Sequence, residues 1–279
     1  MSAAQRQNPH SSANPLTFLK LGGSLITAKE RPHTARKQVI QRLAQEIGEF
    51  LSDQPQTPLL LGHGSGSFGH VPANKYGTRQ GVHTPLEWRG FVEVWREAGA
   101  LNRLVMDALL EAGVPALAFP PSAAVTARDR ALASWNLEPI QAALRAGLTP
   151  VVYGDVVFDL TAGGTIFSTE DLFDHLALHL RPRRILLAGI ESGVWRDFPV
   201  STELVTEITP ATFPALLPAL SGSAAPDVTG GMLSKVRQSL SWVQRAPELE
   251  VQIFSAHEPG ALRAALNGAQ IGTLIRSDR

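Results

Sequence analysis

Apolar positions along this chain recur with two alternating periods, and the alternation predicts the architecture. Short β-rich runs at 16–21, 58–61, 115–119, 150–153, 165–167, 184–190, 251–255 and 273–276 are candidate strands. Several are apolar at every position, as expected of parallel strands buried on both faces. Between the first two, Val39, Ile40, Leu43, Ile47 and Phe50 recur at helical spacing. The same period runs through 91–110 and 172–180, and a further helix is expected over 232–243. Strands and helices in alternation imply a mostly parallel sheet with helices on both faces, an α/β three-layer αβα sandwich.

The N-terminal 1–14 (MSAAQRQNPHSSAN) is small and polar, without the apolar segment of a secretory signal, and is expected to be a flexible tail. A soft boundary is expected near 181–183, dividing the remainder into halves at 15–182 and 183–279. The stretch SGSAAP at 221–226 is expected to be a mobile loop.

Composition narrows the function classes. With 279 residues and 44% apolar content, the chain is long enough for a full hydrophobic core. Acidic and basic residues number 25 each, so the electrostatic footprint of a nucleic-acid binder is missing. The absence of cysteine excludes a disulfide scaffold, a thiolate metal site and a cysteine nucleophile. No apolar run approaches the roughly 18 residues of a membrane span. A soluble, cytoplasmic protein is expected.

Chemistry concentrates in four glycine-rich places. Lys20-Leu21-Gly22-Gly23-Ser24 follows the opening strand, where paired glycines let backbone N–H groups approach phosphate oxygens, and Lys29 lies nine residues after Lys20. His63 to His70 (HGSGSFGH) contains a literal G-x-G-x-x-G from Gly64 to Gly69. A dinucleotide fingerprint should lead to a second strand ending in an acid about 20 positions on. Glu87 instead lies within a helical pattern beside Trp88. A glycine-rich anion loop with a histidine at each end fits better. Gly154-Asp155, Gly163-Gly164 and Ser168-Thr169-Glu170-Asp171 precede an apolar helix, which Ser168 or Thr169 could cap. Asp227 to Lys235 (DVTGGMLSK) places a lysine one turn into a helix whose N–H groups could face an anion. A Walker A loop is absent from the sequence.

In their order, LKLGGS at 19–24, HGSGSFGH at 63–70, VVYGDVV at 151–157 and DVTGGMLSK at 227–235 resemble the signatures of the amino acid kinase superfamily, and most closely its isopentenyl phosphate kinases. Fosfomycin-type kinases are similar in carrying the histidine of GSFGH, which makes another phosphate or phosphonate acceptor the alternative. The resemblance implies ATP-dependent phosphorylation of isopentenyl phosphate, with Mg²⁺, in a homodimer. It implies that Lys20, Gly22, Gly23 and Ser24 hold the ATP phosphates and that Lys29 stabilises the transferring γ-phosphoryl group. Ser65, Gly69, His70 and Thr169 match positions that bind the acceptor, and Gly66, Trp195, Gly231 and Lys235 match nucleotide contacts. Family members usually read SGD where this chain has Ser168-Thr169-Glu170, so the lysine-orienting acid would be Glu170, with Asp171 as the substitute. They commonly read TDVDG where this chain has GIESG at 189–193, which removes one acid beside the nucleoside. No protein-held metal site is expected. The acceptor's apolar tail is expected against Phe91, Val94, Trp95 and Leu104 of one helix.

Overall fold

The computed structural model describes residues 15–28, 31–221 and 231–278. Its elements run β1 (Thr17–Leu21), α1 (Gly23–Ile26), α2 (Lys37–Asp53), β2 (Leu59–His63), α3 (Gly66–Tyr76), α4 (Pro85–Glu111), β3 (Ala116–Ala118), α5 (Pro121–Ala124), β4 (Val125–Arg128), β5 (Ala131–Trp135), α6 (Glu138–Arg145) and β6 (Thr149–Tyr153). The chain continues through β7 (Asp155–Asp159), β8 (Gly163–Phe167), α7 (Thr169–Leu180), β9 (Arg184–Gly189), β10 (Val194–Trp195), β11 (Leu204–Val205), β12 (Glu207–Ile208), α8 (Phe213–Ser221), α9 (Gly231–Arg245), β13 (Glu250–Ser255), α10 (Ala261–Leu266) and β14 (Thr273–Ile275). Residues 222–226 of the SGSAAP stretch lie outside the described residues.

Eight strands form the central sheet in the order β12-β14-β13-β9-β1-β2-β6-β3. β1 pairs in parallel with both β2 and β9, and β14 runs antiparallel to β13. The sheet is therefore mostly parallel, as its continuous apolar runs predict. Successive side chains of β1 enter different cores. Phe18 packs with Leu60, Val152, Phe173 and Ile185, whereas Leu19 packs with Leu43, Leu59, Leu61, Val105 and Leu186. Helices cover both faces, giving the three-layer αβα sandwich. Phe18 and Phe173, with ring centroids 5.0 Å apart, fasten α7 onto the sheet.

The four-stranded sheet β5-β4-β7-β8 departs from the sequence reading. The strand expected at 165–167 belongs to it, pairing antiparallel with β7, and not to the central sheet. Past the strand predicted at 150–153 the chain leaves the central sheet at Gly154 and starts β7 in the smaller one, a strand the sequence reading did not assign. Val125–Arg128 and Ala131–Trp135 carry no continuous apolar signal because part of each is exposed. The start of α4 follows local rules. Pro85 follows the N-cap Thr84 of α4, and Thr84 and Glu87 form a reciprocal capping box.

Candidate active site

The chain order reverses about β1: β2 lies on one side, and β9, from the second half of the chain, on the other. Open α/β sheets bind ligands beyond the carboxyl ends of strands at such a switch point. A cleft of about 540 Å³ lies there. It is lined by Lys20, Gly22, Gly23, Ser24, Ser65, Gly66, Gly69, His70, Thr169, Glu170, Trp195, Gly231 and Lys235, so one cavity gathers the described residues expected to hold the donor, the nucleotide and the acceptor phosphate. Lys29 and 227–230 of the fourth motif lie outside the described residues.

On the β2 side the two glycine turns are packed backbone to backbone. A Cβ on Gly23 would lie 2.7 Å from the Gly66 Cα, and one on Gly64 would lie 2.9 Å from the Gly23 nitrogen. Gly66 also has φ +49°, in the left-handed region that only glycine enters without strain. These glycines let the two loops touch.

Helix α3 begins at this contact. Its residues Gly66, Gly69, His70, Ala73 and Asn74 face the cleft, the i, i+3, i+4, i+7 and i+8 series of one helix face, followed by the C-cap Gly77. His70 thus stands one turn from the helix N-terminus, beside N–H groups suited to an anion. His63 differs. It is buried, stacked on Tyr153 at 5.3 Å, and its Nε2 lies 3.1 Å from Asn102 Oδ1. Burial pushes its imidazole below the usual range, although hydrogen bonds to Asn102 and Gly64 oppose this. Of the two histidines expected to serve an anion at the ends of the loop, only His70 lines the cleft. A strand residue beneath the loop points into the core.

Helix α7 supplies the acid. Ser168 is its N-cap, accepting from Asp171 N at 3.1 Å, while Asp171 Oδ2 accepts from Ser168 N at 2.8 Å. Asp171 is thereby engaged in capping and also meets Arg79 at 3.4 Å. Glu170, the next residue toward the N-terminus, pairs with Lys20, and both are more than nine-tenths buried. Burial alone would raise the Glu170 carboxyl. The Lys20 ammonium, with Lys235 adding to the field, instead holds it below the usual carboxylate range. The extra methylene of Glu170, compared with the aspartate usual in SGD, reaches the strand lysine. The Thr169 hydroxyl donates to the His63 carbonyl at 2.6 Å and is buried, so it ties α7 to β2.

On the β9 side, Gly189, Ile190, Glu191 and Gly193 of the GIESG segment line the cleft together with Trp195, Phe198, Met232 and Ile253. Trp195 and its apolar neighbours make a surface suited to a flat ring. Of the expected tail wall, Val94 lines the cleft beside Ala73, Ile166 and Phe167. Phe91 is buried in a small core with Val82, Val94 and Val156, Trp95 is half exposed, and Leu104 packs on the large core under α4. Helical period identified the helix but not the part of its circumference that reaches the ligand. Among the described residues no three acidic or histidine side chains are grouped as metal ligands.

Behind Gly154, Asp155 is 1% exposed and accepts from Ser122 Oγ at 2.9 Å and Val156 N at 2.8 Å. Burial outweighs both bonds and raises its carboxyl to about 7. A carboxyl raised on folding favours the folded state at acid pH, and this contribution is lost as pH rises toward the folded value. Asp155→Asn should therefore gain stability relative to wild type by about 2–3 kcal/mol between pH 5 and pH 8. Parallel thermal-unfolding curves over that range would contradict the buried-acid assignment.

The amino acid kinase family pattern matches residues 15–255. The chain is 33% identical to the isopentenyl phosphate kinase of Methanothermobacter thermautotrophicus, over 93% of this chain and 98% of that protein. It is also 33% identical to the isopentenyl phosphate kinase of Haloferax volcanii, over 94% and 99%. A solved structure of isopentenyl phosphate kinase superposes with a TM-score of 0.78 at 31% identity, covering 93% of this chain and 99% of that one. With the shared fold and the convergence of its glycine motifs, the chain belongs to the amino acid kinase family, where its similarity runs to the isopentenyl phosphate kinases.

Proposed function

We propose that this protein transfers the γ-phosphoryl group of ATP to isopentenyl phosphate, forming isopentenyl diphosphate and ADP. The observation that carries this reading is the convergence of Lys20, Lys235, His70 and two glycine loops on one cleft. An oxygen of the acceptor phosphate attacks the γ-phosphorus, and the bond to the β-bridging oxygen breaks, leaving ADP with the electron pair. The attacking oxygen is already anionic near neutral pH, so positioning and charge neutralisation are the main demands and no general base is required.

In this reading Lys20, Gly22, Gly23 and Ser24 hold the donor phosphates, and Lys235 reaches them from α9. Gly66 touches the donor, and Gly231 and Trp195 meet the nucleotide. Ser65, Gly69 and His70 grip the acceptor phosphate, with Thr169 beside it, and Lys29 serves the transferring group. Glu170 orients Lys20. The 15–182 half binds the acceptor and the 183–279 half the nucleotide, a division supported by the two wings of the sheet about β1. Mg²⁺ would enter as a companion of the triphosphate, since Glu170 is already paired with Lys20 and no three acidic or histidine side chains are grouped as ligands among the described residues. When bound, it would add positive charge to the phosphate chain. A cytoplasmic homodimer is proposed on family grounds. No helix among the described residues is long and apolar enough to cross a membrane.

A coupled ADP-release assay with isopentenyl phosphate, dimethylallyl phosphate and fosfomycin tests the acceptor. Turnover is expected with isopentenyl phosphate above the others. Preferred turnover of fosfomycin, or none with either prenyl phosphate, would overturn the assignment.

A further inference from the structure

Thr27, at the C-cap of the one-turn helix α1, bridges the two glycine loops through its side chain. Its hydroxyl donates to the Gly23 carbonyl at 2.7 Å and accepts from the Ser67 N–H at 3.0 Å. The residue is fully buried. Gly23 belongs to the turn read as holding the donor phosphates, and Ser67 lies between Gly66 and His70 in the acceptor loop. The glycines on both sides have no side chains with which to fix this contact. A Cβ on Gly66 would lie 2.2 Å from the Thr27 hydroxyl, so the loop is closed around that oxygen.

We propose that Thr27 is a positioning residue for phosphoryl transfer: its buried hydroxyl holds the donor turn and the acceptor loop in register, and so sets the distance between γ-phosphorus and attacking oxygen. The proposal rests on the function assigned above. It differs from a role in binding, because Thr27 does not line the cleft. A displacement of about 1 Å between reacting groups is enough to cost on the order of 10²-fold in rate.

Thr27→Val keeps the shape and removes both hydrogen bonds, whereas Thr27→Ser keeps the hydroxyl. For the valine variant, kcat is expected to fall about 10–100-fold with the KM values for ATP and acceptor within about twofold of wild type. The fraction of ATP released as free phosphate should rise, because water competes when the acceptor is misaligned. Serine should restore most of kcat and suppress this leak. If the valine variant is insoluble, Thr27→Ala is read in the same way. A lowered melting temperature with unchanged kcat at 25 °C would make Thr27 structural only and overturn the proposal. So would raised KM values at constant kcat. Should wild type reject isopentenyl phosphate, the function falls, and Thr27 is then tested with whichever acceptor of the panel wild type uses.

Discussion

Changing Lys20 to methionine should lower kcat by about 10²–10³-fold while leaving the fold assembled, because in the proposed mechanism the ammonium at the end of β1 neutralises charge at the phosphates. The same change leaves Glu170 buried without its partner. Breaking a buried pair by removing one member costs about 3–5 kcal/mol, more than the pair contributes relative to neutral groups. Lys20→Met should therefore lose stability as well as activity, and the two losses can be separated. Adding Glu170→Gln removes the stranded carboxylate, so the double variant should recover much of the melting temperature and none of the turnover. Glu170→Gln alone should lose less activity than Lys20→Met, since Lys20 keeps its charge and loses only the group that orients it. Recovery of turnover in the double variant would show that the lysine acts on stability and not on chemistry.

His70→Ala should abolish most acceptor-dependent turnover, by about 10²-fold or more, with the Kd for ATP unchanged within about twofold. His70 is on the cleft face of α3, one turn past Gly66, where it adds a donor beside the helix N–H groups. His63→Ala is the matched control. Its ring is packed on Tyr153 and held by Asn102, so this variant should lose stability, by a few kcal/mol, and not acceptor selectivity. Calorimetry with ATP and steady-state kinetics over a range of acceptor concentrations would make the comparison. Normal turnover by His70→Ala would remove the imidazole from the mechanism.

The contrast between these two histidines marks how far the motif could be read. HGSGSFGH gives both the same local chemistry, but β2 turns His63 toward the core and α3 turns His70 toward the cleft. Glu170 and Asp171 are a similar pair. Both are acids in the first turn of one helix, and their separation by about 100° of helix rotation sends one to Lys20 and the other back to the Ser168 cap. Thr27 carried a weak signal, a hydroxyl four residues after Gly23. Its second partner, Ser67, is 40 residues away in sequence, so nothing local indicated the bridge.

Periodicity and residue type were sufficient for the alternating elements, the parallel strands buried on both faces and the glycine turns after β1 and β2, since each depends on neighbours a few residues apart. Motif order was sufficient for the family. The switch point at β1, the transfer of β7 into a second sheet, the fit of Gly23 against Gly66 and the pairing of Lys20 with Glu170 depend on contacts between distant segments. Packing chose among side chains that look alike in sequence, because burial and direction are properties of the assembled layers.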